Sequence, residues 1–143
     1  MSRLLVIHVA SAGLWLGCVL VEVAFERLLA ALPMREFLAR LHYWVDLLIE
    51  LPAFLMVLTT GQVLLREATP TVALHVMTGA GFIAILANIY CVWLVIRRRS
   101  YAIEGDVAGF ERADRMQHRV GGLVLLGILI AMAAGIWNAA WVV

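Results

Sequence analysis

The chain has 143 residues, 64% hydrophobic and 15% charged, with a formal net charge of +1. Too little of it is polar to cover a water-soluble globule, so the composition excludes that class and points to an integral membrane protein. No nucleotide-binding loop, hydrolase triad or basic nucleic-acid surface is visible, and no nucleic-acid partner is expected.

A helix rising 1.5 Å per residue needs about 20 apolar residues to cross a hydrocarbon core of roughly 30 Å. Four segments meet that length, at about 4–25, 42–65, 71–96 and 119–142. The expected fold is an all-α membrane four-helix bundle, one domain over 1–143, arranged as two helical hairpins. The first segment follows only Met1, Ser2 and Arg3 and lacks a small-residue cleavage site before Glu22, which predicts a retained helix rather than a cleaved leader. Pro52 interrupts the second segment and predicts a kink there. The third begins behind a tight turn, "REATPT" (66–71). All eleven basic residues are arginine. Arg27, Arg35 and Arg40 lie in the first connection and Arg97, Arg98, Arg99, Arg112, Arg115 and Arg119 in or beside the third, against only Arg3 and Arg66 elsewhere. The positive-inside rule then places both termini outside, with the chain multi-pass in a bacterial inner membrane and the lipid bilayer as its first partner.

Ionisable groups within such spans are costly and are candidates for function. The four histidines fall one per segment: His8, His42, His75 and His118. "HVAS" (8–11) and "HVMT" (75–78) start the first and third segments alike, as an internal duplication with a pseudo-two-fold axis along the membrane normal would. By helical rise His8 and His75 share a depth on the outer side, and His42 and His118 on the inner side. Two imidazoles from different helices at one depth can ligate a b-type haem axially, so one haem b is expected between His8 and His75, with His42 and His118 offering a site for a second. Such a cytochrome would pass electrons between a quinol or periplasmic redox partner and another acceptor.

Polar residues of the first segment, His8, Ser11, Trp15, Cys18 and Glu22, step by three and four and form one stripe facing the bundle. Gly13 and Gly17 lie opposite, a small-xxx-small face open to a second copy or a partner subunit. His42, Asp46 and Glu50 form a column at intervals of four ending before Pro52, with Glu22 entering from the same side. The three carboxylates are candidate catalytic groups: they could relay protons, join the inner histidines around a divalent metal, or pair to specify packing. Copper or divalent-metal transport by the same histidines with Glu50 and the intramembrane methionines Met56, Met77 and Met132 is the alternative function. A cofactor-free anchoring subunit is a third.

A histidine early in the first helix followed by "WLG" (Trp15 to Gly17), with "LPAFLMVLTTG" (Leu51 to Gly61) in the second, resembles the bacterial copper-resistance D type membrane proteins and the related J-type protoporphyrinogen oxidases. The resemblance covers mainly the first half of the chain. It implies a metal or haem-dependent redox role, with His8 as the residue carried over.

Overall fold

A computed structural model describes residues 2–29 and 35–141. It is all-helical: α1 (Arg3–Leu29), α2 (Arg35–Val45), one π-helical turn (Asp46–Glu50), α3 (Leu51–Glu67), α4 (Val72–Glu104) and α5 (Val107–Trp141). Four helical stretches among the described residues are long and apolar enough to cross a membrane: Arg3–Leu28, Glu36–Glu67, Val72–Glu104 and Val107–Ala140. The expected spans are thus present, and each is extended at the arginine-rich end. Residue 142, the expected end of the last segment, lies outside the described residues.

The largest extension replaces the expected third connection. α4 and α5 continue through that segment and are joined by only two residues. Gly105 adopts φ 73°, a left-handed conformation that glycine enters without a Cβ penalty, and it stops α4. Asp106 then starts α5, its Oδ1 accepting from the Gly109 N–H at 2.9 Å and its carbonyl from Phe110 at 2.9 Å. At the other end of α4, the Thr71 hydroxyl caps by accepting from Leu74 N at 3.0 Å, so the helix begins at Val72, behind Pro70 and its turn.

Pro52 acts differently from a simple kink. Without an N–H it cannot bond the Leu48 carbonyl, and the preceding turn widens: the Leu51 N–H reaches back five residues to the Asp46 carbonyl. Asp46 and Glu50 bracket this turn, and both point into the bundle.

The interior runs through Trp15 and Val19 of α1, Ala53 and Phe54 of α3, Ala84, Ile85 and Cys91 of α4, and Val124 and Ile128 of α5. Outward positions such as Leu14, Val21, Phe82 and Ile130 remain exposed, as lipid-facing residues should. α4 and α5 pack along most of their length, whereas α1 packs chiefly on α3. Close approach in the α4–α5 hairpin requires Gly127. A Cβ there would lie 2.9 Å from Ala84 Cβ and 3.1 Å from the Ala80 carbonyl oxygen. Gly127→Ala gains up to about 1 kcal/mol in helix propensity, but backbone cannot yield, and overpacking costs about 1–3 kcal/mol. A lowered Tm is expected for G127A. Gly122→Ala, with nothing within 4 Å of the new methyl, should raise Tm in the same measurement.

Gly13 and Gly17 likewise have open space where a Cβ would stand. Cys18 and Cys91 are free thiols. Aromatic residues near the arginine-rich end carry cation–π contacts: Arg99 lies 4.6 Å from the Tyr43 ring centroid and Arg97 lies 5.1 Å from that of Tyr101.

Candidate functional site: a buried histidine–carboxylate cluster

The inward stripe of α1 brings Trp15, Glu22 and, one turn further, Glu26 to the interior. Opposite them stand His42 of α2 and Asp46 and Glu50 of the π turn. Glu50 Oε1 accepts from the Trp15 indole N–H at 3.0 Å. Trp15 itself packs on Phe54, ring centroids 5.8 Å apart. Asp46, only 2% exposed, faces the interior one turn before Glu50, and one of its carboxylate oxygens lies within 4.8 Å of one of Glu22's.

His42 uses both ring nitrogens. Nε2 lies 3.0 Å from Glu22 Oε2 and 3.7 Å from Asp46 Oδ1, and Nδ1 lies 3.0 Å from Glu26 Oε1. The Gln117 amide nitrogen is 3.3 Å from Nδ1 and 3.1 Å from Nε2. An atom nearly equidistant from both nitrogens must sit over the ring face, because the positions between them in the ring plane are filled by carbon. The in-plane directions therefore belong to the two glutamates.

Glu26 links this cluster to the second hairpin. Arg98 of α4, 2% exposed, donates to Glu26 Oε1 at 2.7 Å and to Gln117 Oε1 at 3.1 Å, and its Nε stands 3.2 Å from Asp114 Oδ1. On the far side of Glu26, His118 Nε2 lies 4.0 Å from Oε2, and the His118 side chain is 52% exposed. A continuous series of ionisable side chains thus runs from Glu50, behind Trp15, to an exposed imidazole. Along α1 it covers the twelve residues from Trp15 to Glu26, a rise of about 16 Å. Beside it a crevice between α1 and α2, walled by Val21, Phe25, Leu38 and Val45, opens onto Glu22, Glu26 and His42.

Among the described residues of the cluster, five carboxyl groups, Glu22, Glu26, Asp46, Glu50 and Asp114, face one permanent cation, Arg98, with His42 and His118 as titratable partners. In a low-dielectric bundle that surplus is tolerable only if protons or a bound cation offset it. Glu22 Oε1 and Asp46 Oδ1 are buried and have no hydrogen-bond partner among the described residues.

The structure gathers His42, Glu22, Asp46 and Glu50 as the sequence columns implied, and brings His118 to the same cluster through Glu26. It does not gather His8 with His75. His8 turns to α3: Thr60 donates to the Met56 carbonyl, and its hydroxyl oxygen accepts from His8 Nδ1 at 2.9 Å, while Cε1 would lie 3.2 Å from a Cβ at Gly61. His75 is exposed and donates from Nδ1 to the Thr71 carbonyl at 2.7 Å. Depth along the membrane normal does not fix the direction around a helix, and α1 packs on α3 rather than on α4. Nor are His42 and His118 arranged as an axial pair, because Glu22 and Glu26 occupy the in-plane directions of His42. Members of the expected duplication therefore occupy dissimilar surroundings.

Sequence reasoning missed Glu26, Arg98, Asp114 and Gln117. Glu26 continues the α1 stripe by four, and Asp114 precedes His118 by four; both lay just beyond the expected spans. Arg98 was hidden within a triplet of arginines. Compared with protein-family models, curated proteins and solved structures, the chain matches none.

Proposed function

We propose that this chain is a multi-pass membrane protein whose bundle gives protons access from one membrane face to a buried acid, Glu50, through a relay of Asp46, Glu22, His42, Glu26 and His118. The supporting observation is the succession of neighbouring ionisable side chains between Glu50 and the exposed His118 ring, from Glu50 to Asp46 one turn back and then through His42, Glu22 and Glu26 at 3.0–4.0 Å. By the arginine bias, His118 faces the cytoplasm of a bacterial cell. Imidazole suits the middle of such a path, since it can accept a proton at one nitrogen and release it at the other. Beyond Glu50 the path meets Trp15 and the fully buried Phe54, which makes it a half-channel ending at an acid. That arrangement fits the proton-handling part of a redox or transport cycle. Haem ligation by His8 and His75 would require α1 and α4 to turn toward each other, and finds less support than the relay.

Infrared spectroscopy of the purified chain in lipid tests the relay. Wild-type protein should display a protonated carboxyl C=O band that shifts in D₂O, and Glu50→Gln and Asp46→Asn should each remove part of it. His118→Ala should slow the D₂O shift about a hundredfold, the lower end of the range for loss of a positioned proton-transfer group. Wild-type and E50Q spectra that superimpose would overturn the reading.

A further inference from the structure

We infer that Glu22, His42 and Asp46 form a binding site for a borderline divalent cation of the first transition row, such as Mn²⁺, Fe²⁺, Co²⁺ or Zn²⁺. The inference goes beyond the relay and does not require proton movement along it. One ligand atom from each of the three side chains lies within 4.8 Å of the others. Around a cation with bonds of about 2.0–2.2 Å, neighbouring ligands stand roughly 3.0–3.6 Å apart in octahedral or tetrahedral geometry. The observed separations from His42 Nε2, 3.0 Å to Glu22 Oε2 and 3.7 Å to Asp46 Oδ1, need only a few tenths of an ångström of adjustment.

Two further observations point to a ligand. Asp46 is 98% buried, and among the described residues its Oδ1, the atom 3.7 Å from His42 Nε2, has no hydrogen-bond partner; neither has Glu22 Oε1. A buried carboxylate oxygen left in that state costs about 1–3 kcal/mol or more, and a cation removes the cost. His42 is also already oriented as a ligand. With Nε2 toward the acids, Nδ1 donates to Glu26 Oε1 at 3.0 Å, and Glu26 is held in turn by Arg98 at 2.7 Å. This carboxylate–histidine support fixes the ring and raises the basicity of the ligating nitrogen.

One nitrogen and two carboxylates favour the borderline ions named above over Mg²⁺ or Ca²⁺, which take oxygen alone. The crevice between α1 and α2 supplies an entry path from beside Glu22 and His42. Three protein ligands leave positions for water, and binding would expel the protons that the acids and imidazole share.

Titration of the full chain in lipid nanodiscs with MnCl₂ and CoCl₂ tests the site. One equivalent should bind, with nitrogen hyperfine coupling on the bound Mn²⁺ from His42. Glu26→Gln should weaken affinity about 10–100-fold, as loss of such a supporting partner does, and Glu22→Gln or Asp46→Asn at least as much. Glu36→Gln, at a 63% exposed side chain on α2, should leave affinity unchanged. Should a variant fail to accumulate, the nitrogen coupling of the wild type still decides. Wild-type protein that binds neither ion, bound Mn²⁺ without nitrogen coupling, or affinity undiminished in E22Q and D46N would each overturn the site. Loss of the infrared response with metal binding intact would instead count against the relay alone.

Discussion

Arg98→Met destabilises the folded bundle by about 3–5 kcal/mol, the range for removing one partner of a buried ion pair. Methionine keeps most of the volume, so the loss is electrostatic. The guanidinium is the only permanent cation facing Glu26 and Asp114 among the described residues of this cluster, and it also bonds Gln117 Oε1, which orients the amide over His42. Without it two carboxylates stay in a poorly solvated interior, unless they take up protons. Arg98→Lys should recover only part of the loss, because a single ammonium cannot span three partners as a planar fork does. The double variant Arg98→Met with Glu26→Gln should be less destabilised than the sum of the two singles, since the second change removes the charge the first one strands. Denaturant titration of tryptophan fluorescence in detergent measures the four variants, Arg98→Met, Arg98→Lys, Glu26→Gln and the double, against wild type. An R98M variant within about 0.5 kcal/mol of wild type, the usual range of a surface substitution, would mean that Arg98 is not the counter-charge of the cluster.

Trp15→Ala has an effect of similar size by another mechanism. Trp15 is 2% exposed and rests on Phe54, which is fully buried. Its removal leaves a large cavity between α1 and α3 and costs roughly 3–5 kcal/mol in lost packing. It also takes away the only N–H that the indole gives to Glu50 Oε1. Trp15→Phe separates these contributions. It retains most of the tilted ring contact with Phe54 but not the donor, and should cost about 1–3 kcal/mol for an unsatisfied buried acceptor. The same variant reports on the relay, since Glu50 then loses the contact that fixes its carboxyl. The infrared band assigned to Glu50 should shift in W15F, with the Asp46 contribution in place. If W15F and W15A unfold at the same denaturant concentration, the hydrogen bond outweighs the packing, contrary to this account.

Much of the candidate site follows from helical spacing. His42, Asp46 and Glu50 at intervals of four, and Trp15 and Glu22 on one α1 stripe, can be identified as inward because a membrane bundle hides its polar groups from lipid. Glu26, Asp114 and Gln117 obey the same spacing but fall where the chain turns polar, and length arguments end the spans before them. Arg98 cannot be distinguished from Arg97 and Arg99 by sequence alone. Only its position on the α4 stripe of Ala84, Asn88, Cys91 and Val95 turns it inward, while Arg97 reaches the Tyr101 hydroxyl at the surface.

Composition and periodicity by themselves determined that the chain is helical, that four segments are apolar enough to cross a membrane, and which face of α1 and α2 turns inward. Those properties depend on residue type and on the fixed 3.6-residue turn. Tertiary structure decided the partners. Helical rise gave His8 and His75 a common depth, but the azimuth of each ring is set by which helices touch, and α1 lies against α3 while α4 lies against α5. The same packing carried Arg98 and Asp114 to the Glu26 side of His42 and the Gln117 amide over its ring, joining both hairpins in one buried network.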